Sequence, residues 1–195
     1  MILPMYIFGQ PVLRKHAEDI APDYPDLKEL ISNMFETLKN AEGVGLAAPQ
    51  VGLPIRVVVI DLDCISDDEP QYKGFLRTYI NGHILEESEE QATMEEGCLS
   101  IPGIHENVKR PAKVRIEYLD ENLTPHDEWV DGFVARVIQH EFDHLEGKMF
   151  VDHVSPLRKQ LIKKRLVGMA KGKFSCHYKA KANHKYYNAD RKPPH

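Results

Sequence analysis

Cysteine is scarce: Cys64, Cys98 and Cys176 are three in 195 residues, scattered and odd in number, unlike a disulfide framework. No run approaches the roughly 18 consecutive apolar residues that a membrane span requires. The apolar start Met1–Gln10 has no basic leading segment and is interrupted by Pro4, so it does not read as a secretory leader. A reducing, cytoplasmic location with no membrane partner is expected. Acid is nearly missing from one end. Residues 158–195 hold 12 Lys/Arg and the single acid Asp190, against 13 Lys/Arg and 29 Asp/Glu in residues 1–157. The net charge of −5 thus conceals an acidic body and a basic tail. There are no internal repeats. A chain that is 42% hydrophobic and 28% charged has the balance of one globular domain. Residues 1–170 are expected to form it, with 171–195 a flexible basic tail, disordered or loosely packed.

Residues Pro25–Asn40 place Leu27, Leu30, Ile31, Met34, Phe35 and Leu38 at helical spacing, with Asp26 near the start. Ile55–Ile60 is nearly all β-branched and reads as a buried strand. Phe75–Ile84 reads as another, with Asn81-Gly82 as turn material. Glu86–Glu96 holds six glutamates in eleven residues and is expected to be solvated. Lys113–Leu119 alternates apolar and charged residues, the pattern of a half-buried strand. Ser155-Pro156 opens a basic amphipathic helix to Ala170. Strands in meanders, without a βαβ rhythm, predict an α+β fold. Its antiparallel β-sheets pack around a central helix, with further helices near the N- and C-terminal ends.

The segment Asp131–Phe150 contains His140-Glu141-Phe142-Asp143-His144, an HExxH pattern. On a helix, positions i and i+4 share a face, so His140 and His144 can bind one metal ion. Glu141 lies about 100° round the helix from His140, within reach of a water on that metal. Phe133 and Val137 share the histidine stripe, so the metal face is also a core face. Burial there favours neutral, metal-binding imidazole.

Two ligands leave the third to be found. In an HExxHxxGxxH site it would be a histidine at the position of Phe150, which cannot coordinate. A downstream glutamate is equally absent, because none occurs after Glu146. His153 and His177 are donors without a local motif. Cys98 lies in Glu95-Glu96-Gly97-Cys98-Leu99-Ser100-Ile101-Pro102-Gly103, a bracketed segment of fixed shape. One thiolate and two imidazoles leave a fourth position open for water. A buried, inert cysteine is the competing reading.

Three segments occur in order: Gly43-Val44-Gly45-Leu46-Ala47-Ala48-Pro49-Gln50, Glu96-Gly97-Cys98-Leu99-Ser100 and Gln139-His140-Glu141-Phe142-Asp143-His144. Together they resemble the signature motifs of the peptide deformylases, and the likeness reaches roughly from residue 5 to residue 170. The resemblance implies a hydrolase that removes the formyl group from formyl-methionine at the N-terminus of nascent proteins. It implies Cys98, His140 and His144 as metal ligands and Glu141 as the proton carrier. Gln50 and the backbone N–H of Leu99 are implied as donors to the oxygen that becomes charged, and Glu96 as a partner of Arg110. Ferrous iron is the implied working metal, although the ligands would also accept zinc, nickel or cobalt.

Gly43 and Gly45 fit a close approach of backbone to a small formyl group and, equally, a tight turn after the first helix. Val44, Phe133 and Val137 are candidates for the methionine pocket, with plain core packing as the alternative for each. Arg136 lies at the pocket rim or pairs with a surface acid. Where some bacterial members carry an arginine that contacts the peptide backbone, this chain has His105. The resemblance also implies ribosome contact through a basic C-terminal helix, here Lys159, Lys163, Lys164 and Arg165. Sequence-specific nucleic-acid recognition is not expected. The rival readings are a zinc metallopeptidase acting on internal peptide bonds and a non-catalytic metal-stabilised module.

Overall fold

The computed structural model describes residues 1–182 and, as backbone, 185–187. The elements in chain order are β1 (Met5–Tyr6), α1 (Leu27–Asn40), β2 (Gly45–Ala47), β3 (Val57–Asp61), β4 (Leu76–Glu87), β5 (Gln91–Cys98), β6 (Ile101–Pro111), β7 (Lys113–Leu119) and β8 (Pro125–Asp131). Then come α2 (Gly132–Leu145), α3 (Pro156–Ala170), β9 (Ala180–Ala182) and β10 (Lys185–Tyr187). Five strands form one antiparallel sheet in the order β2-β3-β4-β7-β8, and β5-β6 is a separate hairpin. A small third sheet, β1-β9-β10, joins the two ends of the chain. The fold is α+β.

Strand β3 explains the layering. Successive side chains of a strand point to opposite faces. Val57 and Val59 therefore pack with Ile31, Met34 and Leu38 of α1. Val58 and Ile60 pack with Val137, Ile138, Phe142 and Leu145 of α2. The β-branched run is buried on both sides. The opposite flank of α2 meets the β5-β6 hairpin, where Gln139 Nε2 donates to Pro111 O at 3.0 Å. Helix α2 thus lies between the sheet and the hairpin.

Four local expectations are corrected. The glutamate-rich stretch is not simply solvated, because its second half is β5, which keeps Glu95 outside and buries Glu96. Asn81-Gly82 does not reverse the chain. Asn81 takes φ 53°, and the β4–β7 register shifts between Ile80 and His83. The Asn81 amide joins this bulge to Ile20, accepting from its N–H at 2.8 Å and donating to its C=O at 2.9 Å. Helix α3 begins as expected, with Ser155 Oγ accepting from Arg158 N. However, Leu157 and Leu161 are exposed while Ile162 and Met169 are buried, so its apolar residues do not share one face.

The fourth correction is the tail. Part of it is packed: Tyr178, Ala180 and Ala182 are buried, and β9 runs parallel to β1. The sequence carries no periodicity there because the segment is only three strand residues long and its partner lies at the other chain end. Residues 183–184 and 188–195 of the expected tail lie outside the described residues. Deleting residues 171–195 removes a buried tyrosine, a loss of about 2–3 kcal/mol. The expected result is a Tm about 5–10 °C lower in a thermal melt. An unchanged Tm would mean the tail adds nothing to the core.

Candidate metal centre and substrate cleft

His140 and His144 stand one turn apart on α2, with ring centroids 5.3 Å apart. Cys98 ends β5, where the pairing with β6 slips between Gly97 and Cys98. Its Sγ lies 3.4 Å from His144 Nε2. One ligand atom from each of Cys98, His140 and His144 falls within 4.8 Å of the others. Metal–sulfur and metal–nitrogen bonds of about 2.3 and 2.0 Å at a tetrahedral angle place sulfur and nitrogen about 3.5 Å apart. The donor set fits a borderline divalent ion.

Glu96 governs the orientation of His140. Its Oε1 is 2.8 Å from His140 Nδ1, which leaves Nε2 to face Cys98. Arg110 donates to both carboxylate oxygens of Glu96, from Nε at 2.7 Å and Nη2 at 2.9 Å. Arg136 Nη1 donates to Oε2 at 2.7 Å and to Val108 O at 2.9 Å, and Nη2 donates to Ala92 O. Arg136 lines the cleft, and the acid it pairs with is the buried Glu96 rather than a surface acid. Arg110 also reaches Asp143 Oδ2 at 2.7 Å, and His153 bonds that same oxygen. His153 therefore belongs to the support, and the ligand group does not include it.

Burial would push the Glu96 carboxyl up, but the bonds from His140 and Arg110 outweigh it and hold it well below the usual range. Burial also opposes charge on His140. Cys98 and Glu96 prevail and draw positive charge onto the ring. The same two groups favour a divalent cation at that point. Burial, followed by the neighbouring His140, brings His144 down to about 3, so its imidazole is neutral and its lone pair available. Burial pushes Glu141 up to about 7. Glu141 Oε2 and His144 Nδ1 are buried with no hydrogen-bond partner among the described residues. A carboxyl balanced near neutrality is suited to taking up and returning a proton.

Gln50 sits in a 3-10 turn (Ala48–Val51). Its Oε1 accepts from Ala47 N at 2.9 Å, which turns Nε2 toward Cys98 Sγ, 3.5 Å away, and Ser100 Oγ, 3.2 Å away. A cleft of about 500 Å³ opens over these groups. The structure brings Gly43, Val44, Gly45, Phe133, Val137 and His105 to its walls, together with Leu99. A Cβ on Gly45 would lie 2.5 Å from Glu141 Oε1, and one on Gly43 would lie 2.8 Å from the Leu99 side chain. Absence of a side chain at Gly45 is what lets β2 pass directly over the acid. His105 packs across Gly97, the residue before the candidate ligand. Sequence reasoning missed Ser100, fully buried beneath Gln50, and the tail residues Ser175–Tyr178 on the cleft wall. Ser100 lay inside a quoted motif and was open to inference; nothing local marks the tail residues.

The chain matches the family model described as "Polypeptide deformylase" over residues 2–160. It is 52% identical over 188 residues to the peptide deformylase of Flavobacterium johnsoniae, covering 93% of this chain and 96% of the relative. The Cytophaga hutchinsonii peptide deformylase is 46% identical, with 93% and 97% covered. Among solved structures, the Legionella pneumophila peptide deformylase superposes with a TM-score of 0.77 at 35% identity, covering 88% of this chain and 96% of that one. The peptide deformylase from Synechococcus elongatus, solved in complex with actinonin, gives 0.75 at 37% identity over 84% and 87%.

Gly45→Ala tests the close approach. The added methyl displaces the Glu141 carboxyl, and a shift of about 1 Å in such a group costs up to about 10²-fold in rate. The expected outcome is a kcat lower by that order with the metal content unchanged. A kcat equal to wild type would show that Glu141 does not depend on this contact.

Proposed function

The chain belongs to the polypeptide deformylase family, and from that premise we propose how its own residues remove the formyl group from formyl-methionine at the N-terminus of nascent proteins. Cys98, His140 and His144 hold one divalent metal. Such an ion supplies Lewis acidity, lowering the pKa of a water in the cleft. Glu141 accepts the proton of that water as hydroxide oxygen bonds to the formyl carbon. Gln50 Nε2 and the Leu99 N–H donate to the carbonyl oxygen as it gains negative charge. The carbon–nitrogen bond then breaks with its electron pair on nitrogen, and Glu141 returns the proton there. The products are formate and a free methionyl amine.

The observation that carries this reading is Glu141: buried, unpartnered at Oε2 among the described residues, and beside three grouped ligand atoms in an open cleft. Phe133, Val137 and Val44 give that cleft an apolar side for methionine, with His105 at the substrate backbone. Iron(II) is the proposed cellular metal, supported by the family resemblance and a mixed thiolate–imidazole set. Zinc, nickel and cobalt suit the same donors in preparations. A nascent chain as substrate implies action in the cytoplasm. The internal-peptidase alternative is disfavoured, since the candidate third ligand comes from β5 and not from a downstream helix.

Glu141→Gln keeps the shape but cannot carry the proton. We expect formate release from formyl-Met-Ala-Ser to fall about 10²–10⁴-fold at normal metal content. Full turnover with metal bound would contradict the assignment. A second proposal concerns α3, whose Lys159, Lys163 and Lys164 are exposed and suited to ribosomal phosphates. Changing all three to Glu should abolish salt-sensitive co-sedimentation with ribosomes and spare turnover of short peptides. Unchanged co-sedimentation would exclude this face.

A further inference from the structure

The mechanism above uses nothing beyond residue 160, where the family match also ends. Yet Ser175, Cys176, His177 and Tyr178 border the same cleft as Cys98 and Glu141. The path of the chain accounts for this. After α3, Gly172 adopts φ +85° with no atom of the described residues near its vacant Cβ position, so its role is to reverse the backbone. Lys173 N then donates to Gly168 O at 2.9 Å, fixing the start of the crossing. Its far end is fixed by the parallel pairing of β9 with β1, through Met5 N to Lys179 O at 2.8 Å and Ile7 N to Lys181 O at 3.0 Å. Residues between these two anchors are drawn across the mouth of the cleft.

Tyr178 joins the crossing to the reaction centre. The residue is 6% exposed, and its hydroxyl donates to Leu99 O at 2.6 Å. From the other chain end, Phe8 N donates to Ser100 O at 2.8 Å. Both ends of the chain thus grip the two residues that follow Cys98. Leu99 in turn packs over Gly43, on the opposite wall. Beside Tyr178, His177 remains exposed, with Nε2 3.7 Å from Glu42 Oε2 in the turn between α1 and β2. The tail and the α1–β2 turn therefore face each other across the opening.

Methionine and its formyl group are already accommodated by the groups around Glu141 and by the apolar residues on α2. What remains beside the tail is the peptide that follows. We propose that Ser175–Tyr178 forms a substrate wall that contacts the residues after formyl-methionine, and that Tyr178 secures this wall to Leu99. The wall offers the Ser175 hydroxyl, the His177 imidazole and backbone groups as hydrogen-bonding partners for an extended peptide. This inference rests on the deformylase reading and assigns the preference beyond the methionine to a segment outside the three motifs.

The test compares formyl-methioninamide, which ends before the wall, with formyl-Met-Ala-Ser, which reaches it. The metal-loaded full chain is assayed as wild type, as the triple variant S175G/C176G/H177G, and as Tyr178→Phe. The triple variant should raise KM for the tripeptide about fivefold, the size of one hydrogen bond. Its kcat, and both constants for the short substrate, should hold. Tyr178→Phe, which retains the buried ring, should shift the same KM by about threefold. Equal losses on both substrates would reduce the segment to structural support, and no change on either would remove it from the site; each result overturns the proposal. Calorimetric binding of the tripeptide to Glu141→Gln protein, with and without the triple glycine change, separates the two readings. A Kd weakened about fivefold supports the wall whatever Glu141 does in turnover, and an unchanged Kd overturns it.

Discussion

A single buried carboxylate, Glu96, is the point on which the rest of this centre depends. An ionised carboxylate removed from water is costly unless it is fully paired. Here it receives two guanidinium groups and one imidazole, from β6 and α2. Those bonds tie the β5-β6 hairpin to the helix that lies between it and the sheet. They also fix which nitrogen of His140 is available. Glu96 addresses α2 through His140 and Arg136, and Cys98, beyond the slip in the β5–β6 pairing, addresses it through His144. The anchor and the candidate ligand are thereby supplied by one strand.

The surrounding electrostatics follow from that anchor. Arg110, satisfied by Glu96, also binds Asp143, and Asp143 holds His153. The charged groups behind the metal face are therefore paired with one another, and Glu141 is left without a partner at Oε2 among the described residues. Its proton affinity is raised by burial before any charge. A low-dielectric pocket with one uncommitted carboxyl strengthens each interaction made inside it. Gly45 keeps that carboxyl free of steric contact from β2.

Much of the centre was legible because its signals are local. The histidine spacing of α2, the β-branched run of β3 and the alternation of β7 each state their own geometry within a few residues. The third ligand was narrowed by what Phe150 and the missing downstream glutamate cannot do. The parts that escaped are made by distant pairing. Solvation was the natural expectation for an acidic stretch, yet Gln91–Cys98 becomes a strand because β6 supplies its partner and two arginines neutralise Glu96. Asn81-Gly82 has turn chemistry that serves a bulge inside β4. Tyr178 carries no motif, and its place beside Leu99 exists only because the two chain ends meet in one sheet.

The central claim is that Cys98, His140 and His144 together hold one catalytic metal ion with an open position. X-ray absorption spectroscopy on anaerobically purified protein addresses it directly. The account predicts one sulfur scatterer at about 2.3 Å, two imidazole nitrogens at about 2.0–2.1 Å and a further light atom from solvent. A shell without sulfur, or one closed by a fourth protein ligand, would contradict it.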